Sequence, residues 1–418
     1  MSSTDSSRIT PTLLVILATL SAVAPFSTDL YLAGFPSISR DLDADAAEVQ
    51  LTLTAFLVGL AAGQLLFGPL SDRLGRRRPL LWGSAILVVA SAATVFAPTL
   101  ELLVAARLVQ GFTGAAGMVI GRAVIADLAR GKAAARAFSL MMVVGGLAPV
   151  AAPLIGSTLM DVIGWRGTLG VLACIAIVML AGSVFVIRET LPPEKRAVGR
   201  GLGLRELASR RYLAATATFA CSFAVMMSYI SASPFVYQEV MGLTTVGYGL
   251  MFGLNALGLV TSSTIASRLV VRLTPERVLG FGVVGIITSN IVLTTLIVSG
   301  VPAIWLSIPL FFSTSSLGFV SGPSTAIALG AVEKSKGLAS AVIGATQFGL
   351  GGIAAPLVGL DGSANTLPMG ITMLTLAVLA TISCLVLRAG SRLTPAGGIP
   401  EDEAATPPAA PVPDSSAR

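Results

Sequence analysis

The sequence predicts an all-α integral membrane protein whose helices cross the bilayer twelve times, in two halves of six helices each. Of its 418 residues, 54% are hydrophobic and only 11% are charged, and the mean hydropathy is +0.86. Because a soluble domain carries about 25% charged residues, this chain lacks the charge to solvate a globular surface. Apolar runs of about 20 residues, the length that spans a bilayer as a helix, recur along the whole chain.

The predicted spans form two halves joined by a charged connector. Their approximate cores are 11–33, 48–69, 79–97, 100–124, 137–159 and 166–187, then 212–236, 246–266, 278–299, 302–329, 337–359 and 366–387. The predicted domains are a cytoplasmic N-terminus (1–10), the two halves (11–187 and 212–388), a cytoplasmic connector (188–211) and a disordered cytoplasmic tail (389–418).

Basic residues predict which side of the membrane each loop occupies. Clustered Lys and Arg in short loops mark the cytoplasmic side, and the stretch from Gly68 to Arg78 packs four arginines and one aspartate between the second and third spans. Of the 27 Lys and Arg residues, all but Arg40, Arg107 and Arg166 fall in segments that this topology places at or near the cytoplasm. We therefore predict that both termini are cytoplasmic.

Composition and motifs exclude several classes of function. The net charge of +6 resides in short loops between spans, which reflects topology and not a nucleic-acid surface. The chain has no histidine, so the usual zinc and haem ligands are missing and any proton chemistry must use a carboxylate. A nucleophile–base pair, a metal cluster and a Walker-type loop are also missing, so we expect neither an enzyme nor an ATP-driven pump, and no cofactor. A proton gradient is the expected energy source.

Two ionisable residues lie well inside the predicted spans. Asp29 is in the first span and Arg107 is in the fourth, and at about 1.5 Å per residue both fall in the outer half of the bilayer. A charge at the bilayer centre costs about 3 kcal/mol or more, so it usually faces a cavity and has a function. Asp29 is therefore the candidate proton-binding carboxylate. Two alternatives stay open: Asp29 snorkels to the outer surface, and Arg107 ties structurally to backbone carbonyls of neighbouring helices.

Small residues and an internal repeat indicate how the helices pack. Gly111, Gly114 and Gly117 recur at three-residue spacing in the fourth span, a pattern that lets helix backbones approach closely. The stretch 151–156 in the fifth span, AAPLIG, recurs as AAPLVG at 354–359 in the eleventh. Two repeated halves joined by a basic linker predict a transporter layout, with the binding site between the halves near the midplane.

At this point the motifs resemble the major facilitator superfamily, in particular its twelve-helix drug–proton antiporters, over nearly all of residues 8–390. The stretch Gly68 to Arg77 is similar to motif A of that superfamily, and Arg107-x-x-Gln110-Gly111 is similar to motif B. A third stretch resembles motif C, which is associated with antiporters, through Gly145, Gly146, Pro149, Pro153 and Gly156. The first span, with Asp29-x-Tyr31-Leu32, resembles the bicyclomycin/chloramphenicol-resistance branch. The resemblance implies the major facilitator fold.

The resemblance also implies roles for single residues. On the cytoplasmic side Asp72 would cap the eleventh helix, and Arg73 and Arg76 or Arg77 would bridge to Asp127. The implied conformational lock comprises Gly68, Asp72, Arg73, Gly75, Arg76, Arg77, Arg122 and Asp127. Asp29 would bind the proton and Arg107 would couple it to the substrate. One departure is Ser21, which stands where some relatives carry a second carboxylate, and a single carboxylate disfavours multivalent cations as substrates.

A substrate cavity is expected between the halves, mostly apolar with a few hydrogen-bonding groups. Its candidate lining residues are Phe26, Tyr31, Gln110, Met226, Tyr229, Asn255 and Gln347. With so few charges, the cavity favours neutral or weakly cationic amphipathic drugs such as phenicol- or bicyclomycin-like compounds. We expect a monomer in the bacterial inner membrane whose partners are the drug, protons and lipid. The alternatives are a facilitator of a specific metabolite or sugar and, less favoured, a membrane enzyme or a receptor.

Overall fold

The computed structural model describes residues 10–129, 131–196, 207–332, 336–362 and 364–392, and all regular structure in these ranges is helical. Of residues 131–146 only the helical backbone is described. Most of the predicted N-terminus and tail, and residues 197–206 of the connector, lie outside the described residues. The domain boundaries proposed for these segments stay predictions.

The first half begins with a helix that its sequence caps. It contains α1 (Pro11–Asp29), α2 (Phe35–Asp41), α3 (Ala46–Leu74), α4 (Arg77–Val95), α5 (Leu100–Leu128) and α6 (Gly131–Phe185). The Thr10 hydroxyl accepts the Leu13 amide, and Pro11 occupies the first helical position. A reciprocal capping box between Asp45 and Glu48 begins α3. These caps satisfy amide groups that the first helical turn leaves without partners.

The second half repeats the arrangement with one interrupted helix. It contains α7 (Arg210–Phe235), α8 (Thr245–Leu269), α9 (Pro275–Val298), α10 (Ser307–Ser316), α11 (Gly318–Gly330), α12 (Lys336–Leu357) and α13 (Leu367–Arg392). Helices α10 and α11 join at Leu317 and together form one apolar span, Ala303–Gly330. Each predicted span of this half thus corresponds to a helix within a few residues.

Helix α6 is two spans that meet without a loop. Eleven stretches of described helix are long and apolar enough to cross a membrane, and α6 supplies one of them. It runs for 55 residues, about 80 Å at 1.5 Å per residue, whereas the hydrocarbon core is about 30 Å thick. Gly164 interrupts it with φ 66° and ψ −177°, a conformation that glycine adopts readily. The two parts match the predicted fifth and sixth spans, so the predicted twelve-span fold is confirmed.

Glycines allow the backbones of α5 and α3 to come into direct contact. A Cβ atom at Gly111 would overlap the Phe56 carbonyl oxygen, and Cβ atoms at Gly59 and Gly63 would overlap the carbonyl oxygens of Leu108 and Phe112. A Cβ atom at Gly117 would lie 3.1 Å from the Leu20 carbonyl oxygen of α1, which is a tight contact but not an overlap. Because lipid offers no hydrophobic driving force between helices, close backbone contact of this kind supplies the packing energy. The predicted small-residue stripe of the fourth span is therefore a packing seam.

The two halves meet mainly along α3 and α12. Near the predicted outer end, the side chain of Gln50 would meet a Cβ at Gly359, and further along Thr54 donates a hydrogen bond to the Gly352 carbonyl at 2.8 Å. Near the other end Gln64 lies directly against Gly344. Small residues on α12 therefore let α3 approach it over the whole depth of the bundle.

The first helix of each half ends early, at the predicted outer side. Helix α1 stops at Asp29 and is followed by a short 3-10 turn, Leu32–Gly34, so the predicted span 11–33 is a helix only to residue 29. Helix α7 passes at Val236 into a π-helical turn, Val236–Val240. The two ends touch, because Gln238 donates a hydrogen bond to the Ala33 carbonyl at 3.0 Å. The contact joins the halves at this end of the bundle.

Arg166, an exception to the predicted charge distribution, has an acidic partner. Its guanidinium lies 3.7 Å from the carboxylate of Asp41, the last residue of α2. The neighbouring Trp165 donates its indole N–H to the same carboxylate at 2.7 Å. The exposed pair contributes at most about 1 kcal/mol, but it places this arginine among acidic side chains.

Candidate functional site

The break in α1 places Asp29 inside the bundle. Asp29 is the last residue of the helix and is 4% exposed, and no other carboxylate in the described part of the chain is fully buried. Leu30, Tyr31 and Leu32 after it are buried as well. Asp29 therefore does not snorkel to the outer surface, which was the alternative to a position inside the bundle.

Arg107 reaches the same break from α5. Its Nη2 donates to the Ser27 carbonyl at 2.7 Å, and its Nη1 donates to the Gln110 side-chain oxygen at 2.6 Å. Ser27 lies in the last turn of α1, where carbonyl groups lack intrahelical donors, so the break creates the acceptor that Arg107 uses. The guanidinium carbon also lies 4.2 Å from the ring centre of Tyr31 and 4.6 Å from that of Phe56, within cation–π range.

Asp29 ends α1 and Arg107 contacts Ser27 two residues before it, but the two side chains do not form an ion pair. None of the salt bridges among the described residues joins them. The predicted structural alternative for Arg107, a tie to a backbone carbonyl of a neighbouring helix, is present as the bond to Ser27. The structure therefore gives Arg107 a structural contact and leaves its coupling role as a prediction. Its Nε has no hydrogen-bond partner among the described residues.

A short polar network surrounds this pair within the first half. The Gln110 amide donates to the Ser91 hydroxyl on α4 at 2.9 Å, which links α4 and α5 through Arg107 to α1. Tyr31 and Thr52 share a hydrogen bond between their hydroxyls at 3.0 Å, which ties the break to α3. All of these side chains are buried. Such a network fixes the break through contacts to three helices.

The predicted motif C lies against the same break. A Cβ atom at Gly156 of α6 would overlap the carbonyl oxygen of Leu30, so only glycine permits this approach. On its other side this part of α6 meets α8, since a Cβ at Gly249 would overlap the hydroxyl of Ser157 and lie 3.2 Å from the Pro153 carbonyl. Pro149 lies one turn earlier in the helix. Gly145 and Gly146 belong to the segment of which only the backbone is described.

The predicted lock centres on Arg76. This residue is 8% exposed, and its guanidinium donates to Asp127 of α5 at 3.0 Å, to the Ser71 hydroxyl at 2.9 Å and to Asp72 at 2.5 Å. Although burial disfavours the charged guanidinium, the hydrogen bonds to Asp127 and Asp72 hold the pKa of Arg76 above its ordinary value. Of the arginines that the motif offered, Arg76 is the one that bridges to Asp127.

Glu189 completes this lock and was missed from the sequence. Its carboxylate accepts the amides of Arg76 at 2.8 Å and Arg77 at 3.3 Å and so caps the beginning of α4. Although partial burial opposes its ionisation, the hydrogen bonds from the Leu191, Arg76 and Arg77 amides hold the Glu189 pKa below its ordinary range. Gly75, with φ 92°, leaves room for the carboxylate, which a Cβ would meet.

The other predicted lock residues lie nearby without ionic partners. Arg77 donates from its side chain to the Val184 carbonyl at 3.1 Å. Neither Arg73 nor Arg122 forms an ion pair within the part of the chain that the structure describes. The Gly68 carbonyl accepts the Ser71 hydroxyl. The predicted cap of Asp72 on the eleventh span stays a prediction, because the residues before Lys336 are outside the described ranges.

In the second half the predicted cavity residues join an aromatic cluster. We define the tyrosine cluster as Tyr229, Tyr237, Tyr248, Phe252 and Asn255. The ring centres of Tyr229 and Phe252 are 5.7 Å apart and stacked, and Tyr237 contacts both other tyrosines at 6.4 and 6.2 Å. The Asn255 amide donates to the Tyr237 hydroxyl at 3.3 Å. The sequence analysis selected Tyr229 and Asn255 and missed the other members, which carry no signal beyond their aromatic character.

The remaining cavity candidates are dispersed. Phe26 lines a small pocket inside the first half, together with Ser27 and Ser91, and not between the halves. Met226 and Gln347 are half-buried on α7 and α12. The structure thus groups Tyr31 and Gln110 with Asp29 and Arg107, and groups Tyr229 with Asn255. The assignment of these residues to a substrate cavity stays a prediction.

This helical architecture matches a known protein family. The Major Facilitator Superfamily family description matches residues 17–356, most of the chain. The chain belongs to the major facilitator superfamily. The helical architecture is therefore that of a multi-pass membrane transporter family, and the family resemblance inferred from the motifs is confirmed.

Three relatives of this facilitator extend over most of its length. The Uncharacterized MFS-type transporter YdgK of Bacillus subtilis is 33% identical over 375 residues, covering 88% of this chain and 93% of that protein. A bicyclomycin resistance protein homolog of Haemophilus influenzae is 28% identical and covers 88% and 94%. The multidrug resistance protein MdtL of Escherichia fergusonii is 29% identical and covers 77% and 82%. These names are consistent with the drug–proton antiporter branch.

A solved structure supports the same fold. The crystal structure of a D-xylose-proton symporter superposes with a TM-score of 0.70, covering 90% of this chain and 96% of that one. Its sequence identity is 14%, so the likeness concerns the fold alone.

Proposed function

We propose that this facilitator exports neutral or weakly cationic amphipathic drugs, phenicol- or bicyclomycin-like, in exchange for protons. The relatives named for bicyclomycin resistance and multidrug resistance support export of drugs. The motif C packing of Gly156 against the α1 break supports antiport within that branch. The protein would use no cofactor, act as a monomer in the bacterial inner membrane, and keep both termini in the cytoplasm.

The observation that carries the proton step is the burial of Asp29 at the α1 break without an ion-pair partner. An ionised carboxylate in this position costs several kcal/mol unless charge or hydrogen bonds stabilise it. Protonation removes that cost, so the two states of Asp29 favour different surroundings. Because the break also forms the contact between α1 and α7 through Gln238, protonation of Asp29 would bias the arrangement of the halves.

Arg107 would transmit this bias within the first half. Its guanidinium is held by Ser27 of α1 and by Gln110 of α5. Movement of Ser27 with the break would shift the positive charge relative to Asp29, and an arginine that approaches a carboxylate favours its ionised form. Proton release and rearrangement of α1 would therefore accompany each other.

Alternating access would use the contacts at the two ends of the bundle. Gln238 with Ala33, and Gln50 with the Ser231 carbonyl at 3.2 Å, join the halves at the predicted outer end. The Arg76 network stabilises the predicted cytoplasmic end of the first half. A pH gradient of one unit supplies about 1.4 kcal/mol per proton, and the membrane potential adds ~2.3 kcal/mol per charge per 100 mV. Exchange of one proton for a neutral drug draws on both.

Drug susceptibility of an efflux-deficient bacterial host tests the proposal. The host would express the wild type, Asp29→Asn or Asp161→Asn, with and without an uncoupler, and be exposed to phenicols, bicyclomycin, fluoroquinolones and lipophilic cations. Asp161 is an exposed carboxylate on α6 and serves as the matched control. We expect wild type and Asp161→Asn to confer resistance, and Asp29→Asn or the uncoupler to abolish it.

Two other outcomes have distinct meanings. Resistance that survives Asp29→Asn would leave export standing and overturn the proton site. No resistance to any compound, with the protein present in the membrane, would favour transport of a specific metabolite or sugar.

A further inference from the structure

Two hydroxyl groups of the tyrosine cluster lack hydrogen-bond partners. Tyr229 is 1% exposed and Tyr248 is fully buried, and neither hydroxyl has a partner within the described part of the chain. Tyr237 lies near Tyr229, and Ser233 near Tyr248, but neither pair has hydrogen-bond geometry. A buried polar group without a hydrogen-bond partner costs about 1–3 kcal/mol of stability. Two unpartnered hydroxyls in one cluster therefore require an explanation.

Packing connects the cluster to the residue after Asp29 across the interface between the halves: Gly249, next to Tyr248, lies against Ser157 of α6, and the adjacent Gly156 lies against Leu30. Tyr229 belongs to the same cluster through its contact with Tyr237, and the charge of Asp29 acts on both hydroxyls. Tyr229 comes from α7 and Tyr248 from α8, whereas Asp29 ends α1. The aromatic contacts continue across the interface, because Phe35 lies 5.2 Å from Tyr31 and 6.1 Å from Phe235 between ring centres. The unpartnered hydroxyls therefore belong to the part of the second half that borders the α1 break.

The charged and titratable groups around Asp29 are few. Arg107 approaches from α5, Tyr31 lies two residues along the chain, and the three cluster tyrosines come from the second half. From α3 and from the described side chains of α6, the residues near the break are neutral: Thr52, Phe56 and Gly156. Arg107 is engaged by Ser27 and Gln110. The tyrosine hydroxyls are thus donors that the carboxylate could gain from the second half.

We propose that Tyr229 and Tyr248 are positioning residues that donate hydrogen bonds to Asp29 after it has released its proton. The proton leaves the carboxyl group for water, and both phenols keep their own protons. Hydrogen bonds to a carboxylate favour its ionised form, so contact between the halves at this point and the release of the proton stabilise each other. This inference rests on the proposed proton site and adds that the second half controls it.

Infrared titration of the purified full chain in nanodiscs tests the inference with pH as the only variable. The absorption of the protonated Asp29 carboxyl group is identified as the band that Asp29→Asn removes, and its midpoint pH is recorded. Tyr229→Phe and Tyr248→Phe remove only a hydroxyl and keep the ring. We expect each single variant to raise the midpoint, and the double variant to raise it by about one pH unit, a tenfold change in proton affinity.

Two other tyrosines are matched controls. Tyr212 is as buried as Tyr229, but its hydroxyl donates to the Ala339 carbonyl at 2.8 Å. Tyr237 belongs to the cluster, but its hydroxyl is engaged by Asn255. Tyr212→Phe and Tyr237→Phe should leave the midpoint within a small fraction of a unit. Thermal unfolding should show that Tyr229→Phe and Tyr248→Phe are at least as stable as wild type, because no partner loses a hydrogen bond.

The outcomes separate this inference from the proposed function. An Asp29 band whose midpoint is unchanged in the double variant, or is shifted equally by the controls, would overturn the inference and leave the proton site intact. If no band titrates in the wild type, Asp29 is not the proton site and both proposals fail. A drug panel without any resistance, combined with a shifted midpoint, would instead overturn only the drug substrate.

Discussion

The two halves have the same helix layout but different chemistry at matching places. At the end of α1 the first half buries two charged side chains, Asp29 and Arg107, whereas at the end of α7 the second half buries neutral tyrosines. The end of α3 and the turn after it hold the Arg76 network, whereas the end of α8 has Ser267 where the first half has Asp72, and the Ser267 hydroxyl donates to the Thr264 carbonyl of its own helix. The repeat therefore preserves the packing, and the buried charged side chains of the described residues belong to the first half.

The largest expected effect is at Arg76. Arg76→Gln leaves Asp127, with a side chain 19% exposed, without its ionic partner, and breaking a buried pair costs about 3 kcal/mol of unfolding free energy. Chemical unfolding in detergent micelles measures this. Arg73→Gln, an exposed arginine three residues earlier, should be nearly neutral. Equal losses in both variants would show that the lock depends on total charge and not on the Arg76 geometry.

An intermediate effect is expected at Gly156. Gly156→Ala forces a methyl group into the Leu30 carbonyl, a backbone atom that cannot yield without moving the break, and overpacking of this kind costs about 1–3 kcal/mol. The repeat supplies the control, since a Cβ at the corresponding Gly359 would meet the flexible side chain of Gln50 first. Gly359→Ala should therefore be milder in thermal unfolding and in drug resistance. If Gly359→Ala is the more damaging substitution, the packing around the glycine of the first half is not the tighter of the two.

The smallest effect is expected for an ion pair of the second half. Arg211 and Glu276 are bonded at 2.5 Å, but their side chains are 48% and 24% exposed. Exposed pairs contribute about 0–1 kcal/mol, so Arg211→Gln should lower the unfolding free energy far less than Arg76→Gln. A loss of similar size would remove the contrast between the halves.

The sequence was sufficient to predict the helices and the ionic residues. Long apolar runs predicted every span, because a segment in lipid must form its backbone hydrogen bonds internally, as a helix does. The family resemblance implied an arginine bridge to Asp127 and left Arg73, Arg76 and Arg77 as candidates, of which the structure shows Arg76. The rarity of charge in apolar sequence indicated Arg107, but its contact with Gln110 was not predicted. The end of α1 at Asp29 shortened the first predicted span, although Gly34 and Pro36 were signals of an interruption.

What could not be predicted depends on contacts between distant segments. Glu189 lies 113 residues from Arg76, and a glutamate in a basic connector has no pattern that identifies it as a cap. Tyr237 and Tyr248 resemble ordinary apolar residues in the sequence, since only the fold brings them together with Tyr229 and Phe252. The loopless joint at Gly164 was not visible either, because Asp161 and Arg166 lie on either side of this glycine and charged residues are typical of a loop between two spans.

The glycine seam between α3 and α5 has a mechanical consequence. Side chains can change rotamer to absorb a displacement, but backbones in direct contact, as at Gly59, Gly63 and Gly111, have no such freedom. A displacement of α5 would therefore carry α3 with it, and α3 contacts α12 of the second half at Gly352. If Asp29 acts as proposed, a change at this one carboxylate would move α3 and α5 together, as one unit, relative to the second half.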